Sequence, residues 1–132
     1  NVMSYLTRNP ARVVAVDLQD GMLDKVRKKI AGTELEPRIV LHRCETRRLG
    51  IARPVDFALA FWMVHEVPDP AGFFGELAAL LRPGGQVLIV EPAFHVSKQE
   101  FAETLRAAYA AGFARMASPR LFFSRAALLK IN

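Results

Sequence analysis

Four positions in the sequence carry a polar, titratable side chain close behind a run of apolar residues, and chemistry could be done there. They are Asp17 after residues 13–16, Glu45 after residues 38–43, His65 after residues 54–61, and Glu91 after residues 86–90. An acid at the end of a buried strand can accept hydrogen bonds from the vicinal hydroxyls of a ribose. A histidine can take a proton near neutral pH. The sequence therefore predicts that acids at strand ends bind a ribose and that a histidine there accepts a proton.

Each of these residues and its neighbours also has a purely structural interpretation. Asp17 could simply cap the next helix, and Glu45 could be a surface acid in a loop. His65 could pack its ring against the sheet at the entry to a helix. Glu66, beside it, could bind a cationic or hydroxylated substrate or could point to solvent. Cys44 is interpreted as a small apolar side chain, because no neighbour in sequence would activate a thiol.

The hydrophobic pattern predicts alternating strands and helices. Strands are expected at residues 13–17, 38–43, 54–61 and 86–91, and helices at residues 21–30, 70–81 and 98–112. Two more strands, residues 113–123 and 126–131, are expected around a turn at Ser124 and Arg125. Runs without polar alternation are typical of strands buried on both faces. The order predicts an α/β fold with a mostly parallel sheet between helices and an antiparallel pair at the carboxyl-terminal end.

Length and composition limit the classes of protein to which the chain can belong. The chain has 132 residues, 52% of them hydrophobic, which suits one folded domain. The single cysteine excludes an internal disulfide or a multi-cysteine metal site and fits the cytoplasm. The longest strongly apolar run has eight residues, 57–64, so no membrane span and no membrane partner are expected. The basic residues 25–29 lie on an amphipathic helix without interleaved aromatics, and we expect no nucleic-acid partner.

Several motifs together carry a resemblance to a known family. They are Val14-Ala15-Val16-Asp17 with Met22, residues 55–60, His65-Glu66-Val67-Pro68-Asp69-Pro70, and Leu80-Leu81-Arg82-Pro83-Gly84-Gly85 before a strand that ends in Glu91-Pro92. In this order and spacing they resemble a class I S-adenosylmethionine-dependent methyltransferase of the small-molecule branch, from residue 13 to residue 131. The resemblance implies a Rossmann-like sheet and S-adenosylmethionine as cofactor.

The resemblance implies adenosine-binding roles for residues in the first part of the chain. Asp17 matches the acid that holds the ribose hydroxyls. Leu18 and Met22 match residues that line the adenine. Glu45, with Thr46 beside it, matches the acidic position that reaches the adenine amino group, where many relatives have Asp.

Three further residues match positions near the transferred methyl group. Ala60 and Phe61 match positions whose backbone meets the methionine end of the cofactor. His65 matches a position close to the methyl acceptor, and it is the one candidate for a catalytic role. No cluster of His, Cys and Asp supports a metal-dependent subclass, so no metal is expected.

The resemblance also implies that a piece of the family's domain is missing. A first strand and a glycine-rich loop should precede residue 13, but no glycine precedes Asp17 and no Gly-x-Gly spacing occurs anywhere. We therefore expect residues 1–132 to form a single, amino-terminally truncated domain, with residues 1–8 as the tail of the helix after that loop. We also expect such a chain, on its own, to bind S-adenosylmethionine poorly and to be only marginally stable.

The predicted function is methyl transfer from S-adenosylmethionine to a small-molecule acceptor. Two alternatives stay open. One is a half-domain of an NAD-dependent oxidoreductase, because a strand followed by Asp serves NAD as well. The other is a degenerate, non-catalytic binding domain. Residues 65–70 and 81–85 favour the methyltransferase over the oxidoreductase, and a titration with S-adenosylmethionine would separate it from the degenerate domain. The sequence predicts neither the acceptor's identity nor the oligomeric state.

Overall fold

Two separate β-sheets organise the chain, which a computed structural model describes over residues 12–132. The chain divides into two compact units, one that ends at Gly50 and one that comprises Ile51–Asn132. Each unit contains one of the sheets. The expected helix tail at residues 1–8 lies outside the described residues.

The first unit contains a parallel pair of strands joined through a helix. Its elements are β1 (Val13–Asp17), α1 (Asp20–Ile30), a short 3-10 turn (Glu36–Arg38) and β2 (Ile39–Arg43). The two strands pair in parallel from Val13 with Ile39 to Asp17 with Arg43. Helix α1 buries Leu23 and Ile30, which belong to the apolar stripe that the sequence pattern indicated.

The second unit contains a four-stranded sheet and two helices. Its elements are β3 (Val55–Phe61), a 3-10 turn (Val64–Glu66), α2 (Pro70–Leu80), β4 (Leu81–Pro92), α3 (Lys98–Ala110), β5 (Phe113–Ala117) and β6 (Ser124–Ile131). The strand order is β3-β4-β6-β5. β3 and β4 are parallel, whereas β6 is antiparallel to both β4 and β5. The predicted α/β class and the antiparallel pair at the carboxyl-terminal end are confirmed.

The core of the second unit lies where the helices cover the sheet. The side chains with almost no exposure include Phe74, Val87, Ile89, Ala108, Ala127 and Leu129. Helices α2 and α3 pack against each other. Both helices begin as their sequences predict: Asp69 Oδ1 accepts the N–H of Gly72 at 3.1 Å, and Ser97 with Glu100 forms a capping box.

Three strand boundaries differ from the prediction by two residues or more: the start of β4, the end of β5 and the start of β6. β4 begins at Leu81 rather than at residue 86, because Leu81 already pairs with Val55. The last turn lies at residues 118–123 rather than at Ser124 and Arg125. Those two residues belong to β6, where they pair with Pro92 and Glu91 of β4. Pairing with the long β4 therefore extends β6 toward its amino terminus.

The close approach of backbone around Gly85 gives the first testable prediction. A Cβ atom on Gly85 would lie 2.8 Å from the carbonyl oxygen of Arg82 and 3.2 Å from that of Asp56. Because backbone must move to admit it, we expect Gly85→Ala to lower the free energy of unfolding by about 1–3 kcal/mol. Gly75→Ala is the control, since nothing lies within 4 Å of that position in α2 and alanine favours helix. Equal urea midpoints for the two variants would contradict the prediction.

Candidate functional site

In the first unit, Asp17 is the last residue of β1 and its side chain bends over the next turn. Its Oδ1 atom accepts the backbone N–H of Gln19 at 2.8 Å, and its Oδ2 atom takes no part in that bond. Asp17 is half-buried, whereas Leu18 after it is exposed. One carboxylate oxygen therefore fixes the side chain, and the other can accept a hydrogen bond from a ligand.

Glu45 lies beside this strand end because the parallel pairing continues past β2. The N–H of Cys44 donates to the carbonyl of Asp17 at 3.0 Å, which brings the next residues to the same end of the sheet. Glu45 and Arg48 then exchange backbone hydrogen bonds across a tight turn, at 2.9 and 3.3 Å. Asp17 and Glu45 therefore lie at the carboxyl ends of the two adjacent strands of this sheet.

A cleft of about 590 Å³ opens at this end of the first unit. Its lining residues are Leu18, Arg43, Cys44, Glu45 and Thr46. Three of the residues singled out from the sequence, Leu18, Glu45 and Thr46, thus share one concave surface. Met22 is exposed on α1 but does not line the cleft. Arg43, which the sequence analysis did not select, lines the cleft and forms an ion pair with Asp20 at 3.3 Å.

In the second unit, the carboxyl ends of β3 and β4 lie side by side. Phe61 is the last residue of β3 and pairs with Val90, the residue before Glu91. The N–H of Trp62 continues the ladder by donating to the carbonyl of Val90 at 2.7 Å. Ala60 is buried, and the exposed ring of Phe61 stacks on Trp62 at 5.3 Å between centroids. Phe61 and Glu91 therefore lie at the carboxyl ends of two adjacent parallel strands in this sheet.

A buried carboxylate organises the segment after β3. The Glu91 side chain is only 1% exposed. Its Oε1 atom accepts the N–H of Val64 at 2.9 Å, and its Oε2 atom accepts the N–H of His65 at 3.1 Å. The Nδ1 atom of His65 lies 2.6 Å from the same Oε2 atom. One glutamate from β4 thus holds both the backbone and the ring of His65.

This geometry assigns the ring nitrogens of His65. Because the carboxylate of Glu91 can only accept a hydrogen bond, Nδ1 carries the hydrogen and Nε2 of the neutral ring has the free lone pair. The side chain of His65 is 18% exposed, and its Nε2 atom lies 3.9 Å from Oε1 of the exposed Glu66. The ring of His95 lies 5.0 Å away, at 66° to that of His65. The arrangement can accept a proton at Nε2 while Glu91 supports the resulting charge.

His65 was predicted from the sequence as a site residue, but its hydrogen-bond partner was not. Glu91 was identified only as a strand-end acid, and its contact with His65 was not predicted. The usable signal was topological, since strand–helix–strand order makes β3 and β4 parallel neighbours whose carboxyl ends meet. Among residues 12–132, no group of three or more His, Cys, Asp or Glu side chains is arranged to hold a metal ion.

Comparisons with known proteins agree on one family. The model of the family described as "Methyltransferase domain" matches residues 1–89. A curated phosphatidylethanolamine N-methyltransferase from Cereibacter sphaeroides is 33% identical over 79 residues, which are 59% of this chain and 39% of that protein. The chain therefore spans about two fifths of the length of that relative.

Solved structures with the same fold span nearly the whole chain. An S-adenosylmethionine-dependent methyltransferase from Mesorhizobium loti superposes with a TM-score of 0.80 at 16% identity, covering 98% of this chain and 84% of that one. One from Aquifex aeolicus superposes with a TM-score of 0.79 at 19% identity, covering 99% and 74%. At these identities the likeness concerns the fold.

Proposed function

Because the chain belongs to the methyltransferase domain family, whose methyl donor is S-adenosylmethionine, we propose that it transfers a methyl group to an amine on a small acceptor. The observation that carries this proposal within the site is the buried Glu91 that holds His65 with Nε2 available for a proton. The oxidoreductase alternative loses its basis, since the family transfers methyl groups. The degenerate binding domain remains as the outcome in which the folded protein does not bind S-adenosylmethionine.

The residues of the first unit suit the adenosine part of the cofactor. Asp17 offers the Oδ2 oxygen to the ribose hydroxyls, while Oδ1 is engaged by Gln19. The exposed apolar side chain of Leu18 offers a surface for the adenine ring, and the exposed carboxylate of Glu45 suits its amino group. Leu18 and Glu45 share a cleft of about 590 Å³, which suits a ligand of this size.

We propose that the backbone at Ala60 and Phe61 meets the methionine end of the cofactor. The side chain of His65 acts on the methyl acceptor. When bound, the cofactor supplies a methyl group already activated by its sulfonium centre, so positioning the acceptor contributes much of the rate. An amine acceptor must lose its ammonium proton before its lone pair can attack. His65 accepts that proton at Nε2, and Glu91 holds the ring and stabilises its positive charge.

The relative from Cereibacter sphaeroides suggests which amine to test first. Its name specifies the amino group of phosphatidylethanolamine, and it shares 33% identity with 79 residues of this chain. We therefore propose the ethanolamine headgroup as the acceptor, either free or in a phospholipid. The exposed carboxylate of Glu66, 3.9 Å from His65 Nε2, is suitably charged to attract that headgroup before deprotonation.

The experiment measures cofactor binding and methyl transfer separately. Isothermal titration of the chain with S-adenosylmethionine reports binding. Transfer of labelled methyl groups is then followed onto ethanolamine, phosphoethanolamine and vesicles that contain phosphatidylethanolamine. Methylated amine in any arm supports the proposal. A folded protein that does not bind S-adenosylmethionine would favour the degenerate binding domain. Binding without transfer in every arm would contradict the ethanolamine acceptor, and binding of NAD in preference to S-adenosylmethionine would contradict the cofactor assignment.

Replacement of Asp17 tests the adenosine site. In a version of the protein extended upstream by the genomic sequence, we expect Asp17→Ala to weaken S-adenosylmethionine binding by about 1.5–3 kcal/mol, the range for hydrogen bonds to a charged group, or roughly 10- to 150-fold in Kd. Asp24→Ala is the matched control, because Asp24 is an exposed acid on α1 paired with Arg27. An Asp17 variant that binds as tightly as the Asp24 variant would remove Asp17 from the site.

A further inference from the structure

A group of large apolar side chains at one end of the second unit is exposed instead of buried. This aromatic patch comprises Trp62, Phe94, Leu121, Phe122 and Phe123. Phe94, Phe122 and Phe123 are 73%, 84% and 66% exposed. Single exposed apolar residues are ordinary on protein surfaces, but several neighbouring exposed aromatic rings mark an interaction surface. The patch is therefore a candidate interaction surface.

Direct contacts join the members of the patch into one surface. The rings of Trp62 and Phe94 meet edge to face at 5.5 Å between centroids. The Trp62 Nε1 donates to Oγ of Ser124 at 3.1 Å, and that hydroxyl donates to the carbonyl of Phe122. The rings of Phe122 and Phe123 lie 4.1 Å apart. The patch thus extends from the end of β3 to the connection between β5 and β6.

The backbone holds two of these rings in unusual conformations. Trp62 and Phe123 have φ angles of 55° and 54°, in the left-handed region that bulky residues rarely adopt. The carbonyl of Phe123 accepts the N–H of Ala93 at 2.8 Å, which ties the β5–β6 connection to the end of β4. Strained backbone of this kind persists where the surrounding structure enforces it, and it is common at functional positions. The surrounding structure therefore holds the backbone at Trp62 and Phe123 in place.

The charge around the patch selects the partner. Residues 113–132 contain four basic residues and no acidic one. Arg120 lies in the β5–β6 connection next to Leu121 and Arg115 lies on β5, and both are exposed. Aromatic rings flanked by arginines suit the boundary between headgroups and acyl chains of a bilayer that contains anionic lipids. A second copy of the chain would bring two positive surfaces together, which disfavours self-association through this face.

We propose that the aromatic patch docks this unit onto the surface of a lipid bilayer, with its rings at the acyl boundary and Arg115 and Arg120 on anionic headgroups. The docking is peripheral, since no helix within residues 12–132 is long and apolar enough to span a bilayer. It differs from the sequence expectation of no membrane partner, which considered only spanning segments. Docking requires neither cofactor nor methyl transfer, so it can fail while the proposed function stands, and the reverse also holds.

The only tryptophan of the chain, Trp62, lies in the patch and reports docking directly. The full 132-residue chain is mixed with vesicles of phosphatidylcholine, alone or with about 30% phosphatidylglycerol as anionic lipid. We expect a blue shift of the Trp62 emission and co-sedimentation with the anionic vesicles. We also expect quenching by lipids brominated near the headgroup end of the acyl chain. Binding should weaken as salt is raised, because the arginine contacts are screened.

Paired variants distinguish binding through the aromatic patch from non-specific binding to vesicles. Phe122→Ala combined with Phe123→Ala should lower the partition onto anionic vesicles by at least about tenfold. Arg120→Gln should lower it by about fivefold. The matched controls are Tyr109→Ala and Arg106→Gln, an exposed aromatic and an exposed arginine on α3 outside the patch, and they should change it less than about twofold. Phe122→Ala alone is included, since so exposed a side chain contributes little to folding.

Three results would overturn the proposal. One is no binding to either kind of vesicle by a chain whose circular dichroism shows it folded. A second is equal loss of binding in the patch variants and the α3 controls. The third is concentration-dependent self-association that Phe122→Ala abolishes while vesicles have no effect, which would assign the patch to a second copy of the chain.

Discussion

Glu91→Ala is expected to destabilise the second unit by about 3–5 kcal/mol. The carboxylate is 1% exposed and accepts hydrogen bonds from the backbone of Val64 and His65 and from the His65 ring. Removing it leaves these donors without an acceptor in the interior, where each unsatisfied group costs about 1–3 kcal/mol. The loss is measured as the change in unfolding free energy in urea, followed by the emission of Trp62.

Two companion variants make this measurement specific. Glu91→Gln keeps the volume of the side chain and one acceptor oxygen but points an amide N–H₂ at the remaining donors. It should therefore lower the free energy of unfolding less than Glu91→Ala does. Glu103→Ala removes an exposed glutamate from α3 and should stay within about 0.5 kcal/mol of the parent chain. A Glu91→Ala chain as stable as the Glu103→Ala chain would show that Glu91 does not support the segment after β3.

Local patterns in the sequence sufficed for most of the fold. The run at residues 13–17 has no polar alternation and forms a parallel strand, and Ser97 with Glu100 forms the expected capping box. These features depend on residues a few positions apart, which a sequence displays directly. The first residues of β4 and β6 were misplaced because they depend on pairing between strands distant in sequence, as between Leu81 and Val55.

The candidate site was predictable by position but not by contact. The carboxyl ends of β1, β2 and β3 were identified correctly. Asp17 and Glu45 therefore fall at one end of the first sheet, and Phe61 and Glu91 at one end of the second. The contact between Glu91 and His65 depends on side-chain direction and on burial, neither of which follows from residue type. The aromatic patch was missed because Phe122 and Phe123 were assigned to a strand, whereas they lie beyond the end of β5 and are exposed.

His65→Ala is expected to lower the turnover of methyl transfer by about 10²- to 10⁴-fold, the range for loss of a general base. The ring is held by Glu91 through Nδ1, and its Nε2 atom is the available proton acceptor. The dissociation constant for S-adenosylmethionine should change less than about threefold, because His65 is assigned to the acceptor. Turnover is measured with the acceptor that the labelled-methyl assay identifies.

Neighbouring residues provide the control for this prediction. His95 lies 5.0 Å from His65 between ring centroids but makes no bond to Glu91 among the hydrogen bonds found in residues 12–132. His95→Ala should therefore cost far less turnover than His65→Ala. If the two variants lose equal activity, the pair acts through packing. If His65→Ala abolishes cofactor binding, His65 belongs to the cofactor side of the reaction.

A double-mutant cycle then tests whether Glu91 acts through His65. With His65 present, Glu91→Gln should reduce turnover, because the ring loses the acceptor that fixes its tautomer and supports its charge. With His65 already replaced by alanine, the same change has no ring left to orient and should have little further effect on turnover. Residues that act as one unit show this non-additivity. Additive losses in the cycle would mean that Glu91 contributes to turnover by a separate route, through the backbone of Val64 and residue 65.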